Sequence, residues 1–223
     1  VVKKWLIILT VLLFSNELTV QAESIYSIKH KDQVKPEFEI HVDYPLFNGI
    51  KNKRLQEDVN ENVKETIDEV VREVEKLGDQ SNGFPVLYYE EFTVAENKGL
   101  CSVVMTAHIS QGNKHDSRVR SLNFQNDENG IFLELKDVVD LSKLNIEVNK
   151  IISNDPESFN TQQFTGVRDN TAFYIKDGEL FLIFNKYEIA PGVFGTPEIS
   201  IPFSKVKREL PQHKKAVPVP KEV

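Results

Sequence analysis

The sequence predicts an α+β fold, mainly antiparallel sheet with one long and one shorter helix. Three observations carry that expectation. Apolar residues from Leu55 to Leu77 recur every three or four positions, which marks one face of a long helix. Several segments alternate or run apolar over five to twelve residues between turn-forming residues. No repeating βαβ rhythm and no phosphate-binding glycine loop interrupts them.

Taken in order, residues 1–22 have the pattern of an export signal. Lys3 and Lys4 precede the apolar run Trp5–Phe14, and Val20-Gln21-Ala22 offers small residues to a signal peptidase. The run is shorter than the ~20 residues of a comfortable membrane span, so the expectation is cleavage after Ala22 and delivery outside the cytoplasmic membrane. Residues 24–35 are polar and read as extended or loose. Glu37–Tyr44 alternates with period two, a half-buried strand ended by Pro45 and Asn48-Gly49. The long helix spans about Asn52 to Leu77, with Leu55, Val59, Val63, Ile67, Val70, Val74 and Leu77 as its apolar stripe and Gly78 as its stop.

Phe84–Ala95 and Gly99–Ser110 read as a hairpin around Glu96–Gly99. Val119–Gln125 and Ile131–Leu135 form a second pair around Asn126–Gly130. A shorter helix runs from Ser142 to Ser153. A third hairpin joins 172–176 to 179–185 through Asp177-Gly178, and Glu198–Phe203 is the last strand. Residues 208–223, rich in Pro and Lys, read as a disordered tail. The expected organisation is a signal at 1–22, an N-terminal module at 35–115, a C-terminal module at 116–207 and the tail.

Composition narrows the function classes. There are 27 Lys+Arg against 34 Asp+Glu, a formal charge of −7. That balance argues against nonspecific nucleic-acid binding and suits a cationic protein partner. The single cysteine, Cys101, excludes an internal disulfide framework, and its apolar neighbours make it a buried packing residue.

Catalytic and metal signatures fail one by one. His-Glu-x-x-His, Cys-x-x-Cys, Gly-x-Ser-x-Gly and Gly-x-Gly-x-x-Gly are absent, and no two histidines stand three or four apart. His108 and His115 flank a turn beside Asp116, a weak metal arrangement; packing or surface histidines are the expectation. Glu90 and Glu91 are strand neighbours, so they point to opposite faces and cannot flank one scissile bond. No catalytic residue, metal ligand or cofactor is assigned.

The most distinctive stretch is Tyr187-Glu188-Ile189-Ala190-Pro191-Gly192-Val193-Phe194-Gly195-Thr196-Pro197. Two prolines and two glycines fix the shape of a loop on which Tyr187 and Phe194 offer flat faces and Glu188 an acceptor. Its expected role is binding, with a rigid crossover packed on the sheet as the structural alternative. Arg168-Asp169-Asn170 forms an expected polar rim. The predicted binding residues are therefore Tyr187, Glu188, Pro191, Gly192, Phe194, Arg168 and Asp169.

Residues 173–180, Phe184–Gly192 and Ile199–Phe203 together resemble the C-terminal half of the extracytoplasmic domain of RsiV-type anti-sigma factors. They are similar also to the N-terminal accessory region of PdaC-type peptidoglycan deacetylases. Leu133–Val139 fits the family's strand-to-helix entry, and Tyr44-Pro45 through the long helix fits the module that precedes it. The resemblance covers about residues 35–206. It implies a domain-of-unknown-function module and, for RsiV-type ectodomains, binding of lysozyme as a sensor input. The deacetylase's metal-binding Asp and His motifs are absent from this sequence.

The resulting expectation is a non-catalytic, exported binding module of the bacterial envelope that recognises a lysozyme-like protein or a cell-wall glycan. It takes no cofactor or nucleic acid and touches membrane only through an uncleaved signal segment. The alternatives are a polysaccharide hydrolase using Glu188 with a second carboxylate such as Asp169, and a structural envelope protein. An inverting pair would stand roughly 6.5–9.5 Å apart.

Overall fold

A computed structural model describes residues 24–208 apart from 82, 161 and 163. The expected signal at 1–22 and residues 209–223 of the expected tail lie outside the described residues. Among the described residues, no helix is long and apolar enough to cross a membrane.

The polar segment after residue 24 is a strand, β1 (Tyr26–Val34), antiparallel to β2 (Phe38–Phe47). Its alternation is carried by charged residues, so hydrophobicity alone does not reveal it. Cross-strand pairs do: His30 faces Asp43 at 2.5 Å and His41 faces Asp32 at 2.9 Å. β2 continues past Pro45 to Phe47. Its pairing with the next strand ends at Val42, so the missing Pro45 N–H costs no bond on that side.

The long helix α1 (Lys53–Asp79) follows the expected stripe, with Leu55, Val59, Val63, Ile67, Val70, Val71 and Val74 buried. Asn52 caps it by accepting from the Leu55 N–H at 3.0 Å. Gly78 is not the expected left-handed stop. It lies inside the last turn, where an added Cβ would stand 3.1 Å from the Glu37 carbonyl and the Phe38 ring. Close approach of helix to strand is what requires glycine there.

α1 returns the chain to β3 (Val86–Asn97), parallel to β2, so this crossover supplies the one parallel pair in an otherwise antiparallel sheet. β3 turns through Lys98-Gly99 into β4 (Leu100–Gln111). Both turn residues have positive φ, 53° and 85°, as a two-residue hairpin turn with right-handed twist demands. β5 (Lys114–Gln125) pairs with β4 along its full length, and β6 (Ile131–Phe132) adds a short edge, completing the order β1-β2-β3-β4-β5-β6. The expected module boundary at 115/116 falls at the start of β5.

The chain then forms α2 (Leu135–Val138) and α3 (Leu141–Asn154), and a second sheet of β7 (Ala172–Lys176), β8 (Glu179–Ile183) and β9 (Glu198–Pro202), closed by α4 (Phe203–Val206). Alternation assigns the layers. Cys101, Val103, Met105 and Ala107 of β4 pack under α1, whereas Val104 faces Ala172 and Ile183 of the second sheet. The far side of that sheet, with Phe173, Ile175, Leu180, Leu182, Ile199 and Ile201, packs on Leu144, Val148 and Ile152 of α3. The layers therefore run α1, six-stranded sheet, three-stranded sheet, α3. Cys101 is fully buried as expected, and burial pushes its thiol up to about 12.

Candidate functional site

The predicted loop leaves the end of β8 and crosses the edge of β5. Asn185 and Lys186 grip that edge: Asn185 Oδ1 accepts from the Val119 N–H at 2.8 Å, and the Lys186 N–H donates to the Ser117 carbonyl at 3.0 Å. The crossover is thereby fixed on the strand before the exposed part begins.

At Tyr187 the backbone takes φ 68°, a left-handed conformation that a bulky aromatic adopts rarely. The geometry seats the ring over Gly192. A Cβ on Gly192 would fall 2.1 Å from the Tyr187 Cε1 and 2.7 Å from its hydroxyl oxygen. Only glycine allows this stack. Lys186 Nζ lies 5.1 Å from the centre of the same ring. Pro191 opens a single 3₁₀ turn at Gly192–Phe194, closed by the Phe194 N–H donating to the Pro191 carbonyl at 3.0 Å. The turn projects Val193, 87% exposed, beside Phe194 and Tyr187, each about half exposed. The loop is thus both a crossover pinned to the sheet and the bearer of an apolar tip.

Glu188 has a different place. Its carboxylate accepts from Arg168 Nε at 3.0 Å and Nη2 at 2.8 Å, and from the Asn185 N–H at 3.0 Å. The Glu188 N–H donates to the Asn185 carbonyl. Arg168 is held in turn by an Arg168–Thr171 turn and by Val167, whose N–H donates to Asn145 Oδ1 of α3 at 2.7 Å. A forked, two-bond arginine–carboxylate pair is directional as well as charged. It ties the loop to the 166–171 segment and walls a 360 Å³ hollow lined by Phe164, Gly166, Asn185 and Ile189.

The structure therefore brings together Tyr187 with Gly192, and Arg168 with Glu188. Asp169 turns instead to a neighbouring cleft of about 580 Å³, lined also by Arg118, Ser121, Asn123 and Thr171. Asn185, Thr171 and Asn145, which lock the site, escaped sequence reasoning. They are short polar residues whose bonding depends on tertiary neighbours. Asn185 carried the only usable hint, as the polar residue that stops the apolar run of β8.

The remaining candidates lie away from the loop. Glu90 is 7% exposed beneath α1 and accepts from the Tyr88 hydroxyl at 2.5 Å, while Glu91 points outward. Burial pushes the Glu90 carboxyl up to about 7. His108 bonds Ser117 Oγ at 2.9 Å and stacks on Tyr89 with ring centres 4.5 Å apart. Asp116 bonds Arg118 rather than a histidine. Among the described residues no three His, Cys, Asp or Glu side chains are grouped to hold a metal.

Residues 134–204 match a family described as protein of unknown function, DUF3298. Over 197 residues the chain is 25% identical to the anti-sigma-V factor RsiV of Bacillus subtilis strain 168, which covers 81% of this chain and 68% of that protein. A crystal structure of a DUF3298-family member from Bacteroides fragilis NCTC 9343 matches with a TM-score of 0.60 at 15% identity. That match covers 83% of this chain and 94% of the other, and at that identity the likeness is one of fold. The RsiV-like resemblance read from the sequence is borne out, and the matched family region contains the whole loop.

Proposed function

We infer that the chain is a non-catalytic, extracytoplasmic binding module whose ligand is a cationic, lysozyme-like protein. One observation carries the reading: a rigid loop presents Tyr187, Val193 and Phe194 to solvent and is pinned from behind by the Arg168–Glu188 fork. Exposed aromatics on a fixed backbone lose little entropy on binding, which makes them effective anchors. The acidic balance of the chain favours encounter with a basic partner. The likeness to RsiV, with the lysozyme binding that RsiV-type ectodomains imply, and the export pattern at 1–22 point the same way.

The hydrolase alternative asks Glu188 to exchange a proton with substrate. Its carboxylate is already an acceptor in three hydrogen bonds, two of them from a guanidinium, so both of its oxygens are turned to Arg168 and the Asn185 N–H. Asp169 lines the other cleft.

Calorimetric titration with lysozyme and, separately, with soluble muropeptides tests the reading. The expected result is saturable binding of lysozyme, weakened by salt. Heat with muropeptides alone would move the assignment to a cell-wall glycan, and no heat with either would refute both ligands. Arg168→Lys keeps the charge and loses the fork; it is expected to weaken binding several-fold while leaving the melting temperature nearly unchanged.

A further inference from the structure

The last full-length strand of the large sheet, β5, has an edge that β6 covers only at Phe124 and Gln125. In an antiparallel strand alternate residues point both backbone groups to one side. Three bonds fix which residues point outward here. The Lys186 N–H donates to the Ser117 carbonyl, the Val119 N–H to Asn185 Oδ1, and the Leu133 N–H to the Asn123 carbonyl, at 3.0, 2.8 and 2.8 Å. The Val119 carbonyl, both Ser121 backbone groups and the Asn123 N–H therefore also face away from β4. Among the described residues they meet no hydrogen-bond partner. They lie between two clamps, and the cleft of about 580 Å³ opens over them.

A second observation points to a guest. Asn123 is 4% exposed, its Nδ2 donates to Ser121 Oγ at 3.0 Å, and its Oδ1 is buried without a partner. Buried acceptors are normally satisfied. The rim adds a charge. Arg118, Arg120 and Arg168 are each ion-paired, with Glu73 and Asp116, with Glu69, and with Glu188; Glu134 is paired with Lys136. Asp169 is exposed and has no ion-pair partner within 4 Å among the described residues; Lys136, already paired with Glu134, is near enough to feel its charge.

We propose that this cleft binds an extended polypeptide segment, which adds as a strand to the open edge of β5 with a lysine or arginine side chain on Asp169. Donors and acceptors repeating at about 3.3 Å per residue match a peptide backbone, and strand addition is an established way of recognising one. A guest N–H or side-chain donor satisfies Asn123 Oδ1. The site goes beyond the loop reading and shares none of the loop's apolar tip.

The test is an amide NMR titration of the full chain with the peptide acetyl-Thr-Val-Arg-Val-Thr-amide and with a copy N-methylated at alternate amides. The expected result is saturable shifts at Ser121 and Asn123, slowed hydrogen exchange at Ser121, and roughly tenfold weaker binding of the methylated copy. Asp169→Asn, an exposed change, removes the preference for the Arg peptide over its Gln analogue. Asn123→Leu weakens binding, and Tyr187→Ala leaves it unchanged. Unmoved Ser121 and Asn123 amides at millimolar peptide overturn the proposal, as does equal binding of the methylated copy. Shifts of those amides by N-acetylglucosamine oligomers but not by peptide also overturn it. None of these outcomes bears on whether the loop binds lysozyme.

Discussion

Tyr187 at φ 68° over Gly192 is a local arrangement in which each residue licenses the other. Gly192→Ala forces the ring off the backbone, because 2.1 Å is far inside van der Waals contact. The ring is over half exposed and has room to swing. The stability cost is therefore small, about 1 kcal/mol or less. The expected signature is loss of the ring-current shift on residue 192, with a parallel loss of ligand affinity. Glu90 gives a second residue-scale prediction. Burial raises its pKa to about 7, so the folded state prefers the neutral acid. Its contribution to stability is complete at acid pH, below the ordinary carboxyl range, and is lost as pH rises through about 7. Glu90→Gln keeps an acceptor for the Tyr88 hydroxyl and removes that slope. Urea midpoints measured between pH 4 and 8 are expected to show the variant gaining up to roughly 3 kcal/mol on the wild type at pH 8. A pH-independent difference would contradict a buried, titrating Glu90.

At the scale of elements, α1 is tied to the sheet at both ends and along its flank. Asn52 caps the helix and donates from Nδ2 to the carbonyls of Glu128 and Asn129 in the β5–β6 turn. Asn52→Ala is therefore expected to cost about 1–2 kcal/mol in chemical denaturation, more than a simple cap. Arg118 and Arg120 reach from β5 to Glu73 and Glu69 of the helix through two-bond pairs. Both pairs are partly exposed, so each adds only about 0.5 kcal/mol, but together they fix the helix direction. α1 was legible because its stripe is long and regular, and the hairpins at Lys98-Gly99 and Asp177-Gly178 because their turns need glycine. β1 was ambiguous because its pairing rests on His–Asp contacts that no hydropathy pattern records. The parallel β2–β3 pair was invisible, since nothing in either strand says which neighbour a crossover delivers. At the candidate site, Tyr187, Gly192 and Glu188 stood out by composition. The Arg168–Glu188 fork and the role of Asn185 did not, because they join residues far apart in sequence or act through backbone groups.

For the whole molecule, the layered arrangement decides which surfaces stay open. Both faces of the large sheet's β4 are used for packing, one by α1 and one by the small sheet, so the surfaces left open there are strand edges and the crossover that clamps them. Fixing Asn185 and Lys186 on β5 turns an eleven-residue loop into part of the scaffold. The acidic charge of the chain acts at this scale too: it raises the encounter rate with a basic protein and makes that rate fall with ionic strength. The proposed binding surface is the pinned loop. Calorimetric titration of lysozyme into the wild-type chain and into a Tyr187→Ala, Phe194→Ala double variant tests it most directly. The predicted result is saturable, salt-sensitive binding by the wild type and a loss of at least about tenfold in the folded variant. Equal affinity for the two proteins, or no binding by the wild type at low salt, would rule the loop out as that surface.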